Sequence, residues 1–201
     1  MERVNRDDLD WDGTERSDRV GWRRKRLGAA AGGADLGCSL YELPPGKRAW
    51  PYHYHAGNEE AIYVLAGEGM LRHAGGTDGI RAGDYVALPA GEDGAHRVIN
   101  DSEGALRYLA LSTMRDPEVL VYPDSGKVGA MAGAPPGGTG DRDVDAYFRR
   151  GDAVDYWHGE ADGTDGAASG DTDGEPVGDE DTDDGEAVDD EDDSADREGG
   201  R

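Results

Sequence analysis

The chain has 201 residues, which corresponds to one domain, or one domain and a tail, at roughly 150 residues per domain. Charged residues make up 33% and the mean hydropathy is −0.81, and no run approaches the ~18–20 apolar residues of a spanning helix, which argues against a membrane protein. The formal net charge of −24 argues against nucleic-acid binding, because phosphate binding needs clustered cations. The single cysteine, Cys38, excludes an intramolecular disulfide and a cysteine-rich zinc site.

The first 20 residues are charged and lack hydrophobic periodicity, so residues 1–20 are predicted to form a mobile N-terminal arm. This stretch has no apolar core of the secretory-signal type, and we expect a cytoplasmic location. A short basic cluster follows, comprising Arg23, Arg24, Lys25 and Arg26. Beside so many acidic residues, this cluster is expected to pair with the protein's own carboxylates or to face solvent.

Between about Leu36 and Ser112 the chain alternates short β-rich runs with turn signals and contains no convincing amphipathic helix. The predicted strands are CSLYEL, WPYHYH, AIYVLAGEGMLRH, DYVALP, HRVIN and LRYLALS. Many short strands without helices predict an all-β sandwich or barrel. We place this domain at residues 21–160, including a C-terminal segment whose aromatic residues are expected to pack on the barrel: Tyr147, Phe148, Tyr156 and Trp157.

From Gly159 to Arg201 the chain has 19 acidic residues and only two arginines, with almost no large apolar side chain. Such a segment cannot bury enough surface to offset the entropy of ordering, so residues 161–201 are predicted to be a disordered acidic tail. The tail is either a solvated solubility tail or an interaction tail. The 18 arginines against three lysines, together with abundant aspartate, suggest a halophilic protein.

Four residues of two separate stretches have the chemistry of a metal site. His53 and His55 are two residues apart in a predicted strand, so both imidazoles point to one face. Glu60 or its neighbour Glu59 follows after a short turn, and His96 lies on a later strand. Three imidazoles and one carboxylate suit one divalent transition metal, namely Fe, Mn, Ni, Zn, Co or Cu, and leave open positions on a six-coordinate ion.

These two stretches resemble the two motifs of the cupin superfamily. The residues that match the first motif are Gly46, His53, His55, Glu60 and Gly67, with one extra residue between Gly46 and His53. The residues that match the second are Gly83, Pro89, Gly91, His96 and Asn100, with four residues instead of two between Gly91 and His96. The resemblance favours Glu60 over Glu59 and implies a single jelly-roll β-barrel, a metal in its mouth and a homodimer.

The rest of the pocket is less defined by the sequence. Val64 and Val98 are plausible apolar lining residues, and four arginines are candidates for holding a substrate carboxylate: Arg48, Arg72, Arg97 and Arg107. Arg97 is the least favoured of these, because it alternates away from His96 along the strand. No catalytic residue stands out.

The resemblance implies a metal-dependent enzyme of the oxygenase or isomerase type that acts on a small oxygen-bearing metabolite. The alternative is a non-catalytic module that binds or senses a small molecule. A structural scaffold is a third possibility if no metal binds. Fold alone does not decide among them.

Overall fold

A computed structural model describes residues 2–160 of the chain. The chain divides into two units, Met1–Tyr156 and Trp157–Arg201, and all the described strands belong to the first. The predicted acidic tail, residues 161–201, lies outside the described residues. Among residues 2–160, no helix is long and apolar enough to cross a membrane.

The first unit is built almost entirely from strands. These are β1 (Asp12–Ser17), β2 (Val20–Lys25), β3 (Leu36–Leu43), β4 (Tyr54–His55), β5 (Glu60–Ala66), β6 (Glu68–His73), β7 (Gly76–Arg81), β8 (Tyr85–Leu88), β9 (His96–Ile99), β10 (Leu106–Thr113), β11 (Glu118–Tyr122), β12 (Lys127–Ala132) and β13 (Val144–Arg149). One short α-helix, α1 (Leu27–Ala30), and 3-10 turns at Arg6–Asp8, Glu92–Gly94 and Arg150–Asp152 complete the described elements.

The strands form three antiparallel sheets. The first has the order β1-β2-β3-β10-β5-β8, the second β13-β12-β11-β4 and the third β7-β6-β9. Strand neighbours such as β3 and β10 are far apart in the chain, as the crossovers of a jelly roll require. The all-β, single jelly-roll barrel predicted from the sequence is confirmed.

The core lies between the sheets and is formed by the inward-facing side chains of alternating strand positions. Leu43, Val64 and Leu106 are completely or almost completely buried, and the rings of Tyr41 and Tyr108 stack with centroids 5.4 Å apart. Burying each such aliphatic side chain contributes about 1.5–3 kcal/mol to stability. Val64, predicted to line the ligand pocket, belongs to this core instead.

The predicted N-terminal arm contains a strand that sequence patterning missed. Residues 12–17 form β1, which pairs with β2, and β2 in turn pairs with β3. All but one of the β1 side chains are exposed, so the strand has no apolar alternation to reveal it. The prediction of an arm over residues 1–20 is therefore wrong for β1.

The C-terminal aromatic residues cover the barrel less than predicted. Tyr147 and Phe148 lie on β13, a strand at the edge of its sheet, and about half of each side chain is exposed. Tyr147 contacts Tyr122 with ring centroids 6.1 Å apart, while Tyr156 is 84% exposed.

Candidate metal centre

The two sequence motifs are joined by backbone hydrogen bonds at their histidines. The amide of His53 donates to the carbonyl of His96 at 3.2 Å, and the amide of His96 donates back at 2.9 Å. This isolated antiparallel bridge places the two imidazoles side by side, with ring centroids 4.9 Å apart. Both side chains are buried, and the backbone hydrogen bonds hold the two histidines next to each other.

Glu60, the first residue of β5, brings a carboxylate to these rings. Its Oε2 lies 3.5 Å from Nε2 of His96 and 3.4 Å from Nε2 of His55. Candidate ligand atoms of His53, Glu60 and His96 all lie within 4.8 Å of one another. Donor atoms that share one ion at bond lengths of about 2.1 Å are separated by ~3–4 Å, so only small movements would be needed to enclose an ion.

Of the two adjacent glutamates, the structure brings Glu60 to the cluster. Glu59 is exposed and its backbone is held by Thr113, whose Oγ1 accepts from the Glu59 amide at 3.0 Å. The strand β5 starts at the next residue, and its alternation turns the Glu60 side chain inward.

Backbone carbonyls determine which nitrogen of two histidines is available. The carbonyl oxygen of Pro51 lies 2.8 Å from Nδ1 of His53, and that of Gly94 lies 3.0 Å from Nδ1 of His96. A carbonyl oxygen only accepts, so each Nδ1 carries the proton and each Nε2 keeps a free lone pair. This tautomer leaves Nε2 free to bind a metal, and a hydrogen bond at the other ring nitrogen is the usual arrangement of a metal-binding imidazole.

His55 is oriented by a buried carboxylate, that of Glu118, which was not identified from the sequence. Nδ1 of His55 donates to Oε2 of Glu118 at 3.3 Å, and Nδ2 of Asn58 donates to the same oxygen. The other oxygen of Glu118 accepts from the amides of Gly57 at 3.1 Å and Val119 at 2.9 Å. Glu118 is 1% exposed. Carboxylate–histidine pairs of this kind fix the ring and raise its basicity as a ligand.

The electrostatics differ among the three histidines. Burial alone would lower the pKa of His55, but Glu118 and Glu60 outweigh it and raise this pKa. Burial, together with the neighbouring His96 and His55, holds the pKa of His53 well below its usual range, and burial likewise lowers the pKa of His96. Both rings are therefore neutral at pH 7. Burial alone would raise the pKa of Glu118, but hydrogen bonds from His55 and Asn58 outweigh it and lower this pKa to about 2.

The donor set fits a borderline transition metal rather than a hard cation. Two neutral imidazoles with free Nε2 atoms and one carboxylate form the tight cluster, and the third imidazole contacts the same carboxylate oxygen. Calcium and magnesium prefer oxygen ligands, whereas imidazoles suit zinc, iron, copper and nickel.

The residues of the cluster line part of a cavity of about 570 Å³, a volume typical of small-ligand pockets. Val98 lines the cavity, as predicted. Of the four arginines suggested by the sequence, only Arg97 is among the described lining residues, and its Nε is buried without a hydrogen-bond partner in the described part of the chain. Arg72 is instead bound to Asp124, and Arg107 to Glu42.

Comparison with known proteins agrees with this architecture. The family model described as "Cupin domain" matches residues 39–112. An oxalate-binding protein of Thermotoga maritima is 36% identical over 70 residues, which cover 35% of this chain and 55% of that protein. The chain thus matches about half the length of this curated relative.

Two solved structures show the same fold over most of the chain. A proposed sugar phosphate isomerase of Acidithiobacillus ferrooxidans is 30% identical with a TM-score of 0.59, covering 67% of this chain and 80% of that one. A sugar phosphate isomerase from a cupin superfamily, of Silicibacter pomeroyi, is 24% identical with a TM-score of 0.65, covering 75% and 94%. The family model, the fold and these relatives together show that the chain belongs to the cupin superfamily.

Proposed function

We propose that the chain binds one divalent transition-metal ion through His53, Glu60 and His96, with His55 as the fourth ligand. The protein uses this site to act on a small oxygen-bearing metabolite, as an isomerase or an oxygenase. The observation that carries the proposal is the convergence of two neutral imidazoles, with Nδ1 tied to carbonyls, on one carboxylate inside a cavity.

A metal bound here would supply a Lewis acid that polarises a carbonyl or hydroxyl oxygen. The protein's own residues hold the imidazoles and Glu60 in a largely buried pocket, where electrostatic interactions are stronger than in water. Glu60 is the only carboxylate among the described residues that line the cavity. Burial raises the pKa of Tyr108 and Tyr122, so these phenols stay protonated at pH 7 and serve as hydrogen-bond donors rather than bases.

The shortage of a second acid or base in the cavity favours one alternative, a non-catalytic module that binds a small molecule. The Thermotoga maritima relative, named an oxalate-binding protein, supports this alternative. In both the enzyme and the binding module, the same four residues would hold the metal and the same cavity would hold the ligand.

The first experiment is elemental analysis of protein purified without a nickel column. The wild type is compared with a His53→Ala, His96→Ala double variant and with His73→Ala, which removes an imidazole from outside the cavity. We expect about one transition-metal ion per chain in the wild type and the control, and none in the double variant. A wild type that stays metal-free even after reconstitution refutes the ligand assignment.

The second experiment separates the enzyme from the binding module. The metal-loaded protein is incubated with oxalate and with sugar phosphates, and the mixture is followed by nuclear magnetic resonance for both binding and conversion. Conversion that requires His53 and His96 supports the enzyme. Saturable binding without conversion supports the alternative.

A further inference from the structure

The basic cluster of β2 is divided between the two faces of its sheet. Strand alternation places Arg24 on the same face as Trp22, a core residue, while Arg23 projects from the opposite face and binds Glu42. Arg24 and Arg26 line the same cavity as the metal cluster. The side chain of Arg24 is only 13% exposed.

The lining of this cavity has the opposite charge balance to the whole chain. Four arginines line it, against the single carboxylate of Glu60, whereas the chain has a net charge of −24; they are Arg24, Arg26, Arg97 and Arg142. Arg142 is engaged by Asp145 and by the carbonyl of Ala134. Arg24 and Arg26 share one oxygen, Oδ2 of Asp12, at 3.3 and 3.1 Å. Two guanidinium groups therefore share the carboxylate of Asp12, and Asp141 and Asp145 line a neighbouring cavity together with Arg24 and Arg26. The excess of positive charge is a property of the lining of the cavity that holds the metal cluster.

Aromatic groups hold the guanidinium of Arg24 in place. Its central carbon lies 5.1 Å from the ring centroid of Trp22 and 5.9 Å from that of Trp50. Its Nη1 donates to the hydroxyl of Tyr41 at 3.3 Å. An arginine positioned in advance by such contacts loses little entropy when it binds an anion, and its planar fork matches carboxylate and phosphate oxygens.

We propose that Arg24, assisted by Arg26, binds the anionic group of a bifunctional metabolite. This group is a phosphate monoester or a carboxylate, and the hydroxyl or carbonyl oxygens of the same molecule reach the cluster of His53, Glu60 and His96. The contact of the ligand's oxygens with the metal cluster rests on the proposed function, whereas the anion site at Arg24 does not. Asp12, which is half exposed, competes with the ligand for both arginines.

The test uses three sugars with one skeleton: glucose 6-phosphate, glucuronate and uncharged glucose. Their binding is measured by isothermal titration calorimetry at fixed ionic strength, once in EDTA and once with Mn²⁺. The variants are Arg24→Gln, Arg24→Lys and Asp12→Asn. Arg81→Gln is the matched control, because Arg81 is an exposed strand residue outside the cavity.

In the wild type and in Arg81→Gln, we expect at least one charged sugar to bind ten-fold or more tightly than glucose. Arg24→Gln removes this advantage, Arg24→Lys retains part of it, and Asp12→Asn increases it several-fold. The tighter of the two charged sugars identifies the preferred anionic group. Equal binding of all three sugars, no binding of either charged sugar, or an advantage that survives in Arg24→Gln overturns the proposal.

The EDTA measurement distinguishes this proposal from the metal-dependent function. If the wild type takes up no metal but still prefers the anionic sugars through Arg24, the proposed function fails and the anion site stands. If metal binds normally and no charged sugar is preferred over glucose, the anion site fails and the proposed metal site stands. Should Arg24→Gln fail to fold, Arg24→Lys and Asp12→Asn still decide the question, because they change binding in opposite directions.

Discussion

The buried carboxylate of Glu118 gives the sharpest test of the metal centre. In a Glu118→Gln variant the side chain keeps its size, but Oε2, which accepts from both His55 and Asn58, loses its negative charge or is replaced by an amide group. His55 then loses the partner that fixes its Nδ1 proton and its ring orientation. The other two histidine ligands, His53 and His96, keep their own backbone anchors.

The expected loss follows from the position of Glu118. Removing such an outer partner of a ligating histidine weakens metal binding by about 10–100-fold, which corresponds to about 1.4–2.8 kcal/mol. We expect the upper half of this range, because Glu118 is completely buried and no water can replace its contact with His55. The assay is titration of the metal-free protein with Co²⁺ in competition with a chelator of known affinity.

Two comparisons separate metal affinity from folding. Thermal unfolding of the metal-free protein measures the loss of stability directly, and the affinity is compared only for folded variants. Glu68→Gln, which removes an exposed carboxylate from β6, is the control and should bind Co²⁺ like the wild type. A folded Glu118→Gln variant with unchanged Co²⁺ affinity would show that Glu118 does not support His55 as a ligand.

Three further predictions concern stability. Burial alone would raise the pKa of Glu42, but hydrogen bonds from Arg107 and Arg23 outweigh burial and hold this pKa below its usual value of 4.5. The stabilisation that the ionised Glu42 gives the folded protein is therefore complete above pH 4.5 and is lost on acidification. Glu42→Gln should therefore destabilise the protein by ~1–3 kcal/mol in urea unfolding at pH 7 and by clearly less at pH 3, and an equal loss at both would contradict this. Asn100 is fully buried and its Nδ2 donates to the carbonyls of Leu43 and Gly104, so Asn100→Ala should cost ~2–3 kcal/mol, and a loss below ~0.5 kcal/mol would show that these bonds are dispensable. Because the net charge is −24, raising KCl from low to molar concentration should raise the melting temperature, whereas sharp, salt-independent melting would refute the halophilic interpretation.

The residues of the candidate metal cluster, His53, Glu60 and His96, were all singled out in the sequence, because each lies in a short local pattern. Period-two alternation predicted that His53 and His55 share one face. The short turn after them left Glu59 or Glu60 as the carboxylate, and the resemblance to the cupin motif favoured Glu60. Glu118 was missed because it lies 63 residues from His55 in the chain and a lone glutamate in a hydrophobic strand has no distinguishing pattern. Only the pairing of β11 with β4 brings the two together.

The arginine prediction was only partly right, since Arg97, the least favoured of its four candidates, lines the cavity, whereas Arg24 was not among the candidates. A signal for Arg24 was present, since it alternates with Trp22 and therefore faces the core side of β2. The basic cluster was predicted to pair with the protein's own carboxylates or to face solvent, and Arg23, Arg24 and Arg26 do pair with carboxylates. The prediction treated the cluster as one unit, although neighbouring strand residues face opposite ways. Arg72 and Arg107 were plausible by composition, but each is taken by a carboxylate from elsewhere in the chain, which no local pattern reveals.

The position of Glu118 would make the proposed metal centre dependent on a strand outside the segment that contains its ligands. The segment that matches the cupin domain, residues 39–112, contains all four proposed ligands but ends before β11. A chain cut after residue 112 would keep every ligand and lose the carboxylate that orients His55. If the proposed site binds metal, the carboxylate that orients His55 joins it only once β11 has been made, so we expect tight metal retention to require the chain as far as β11.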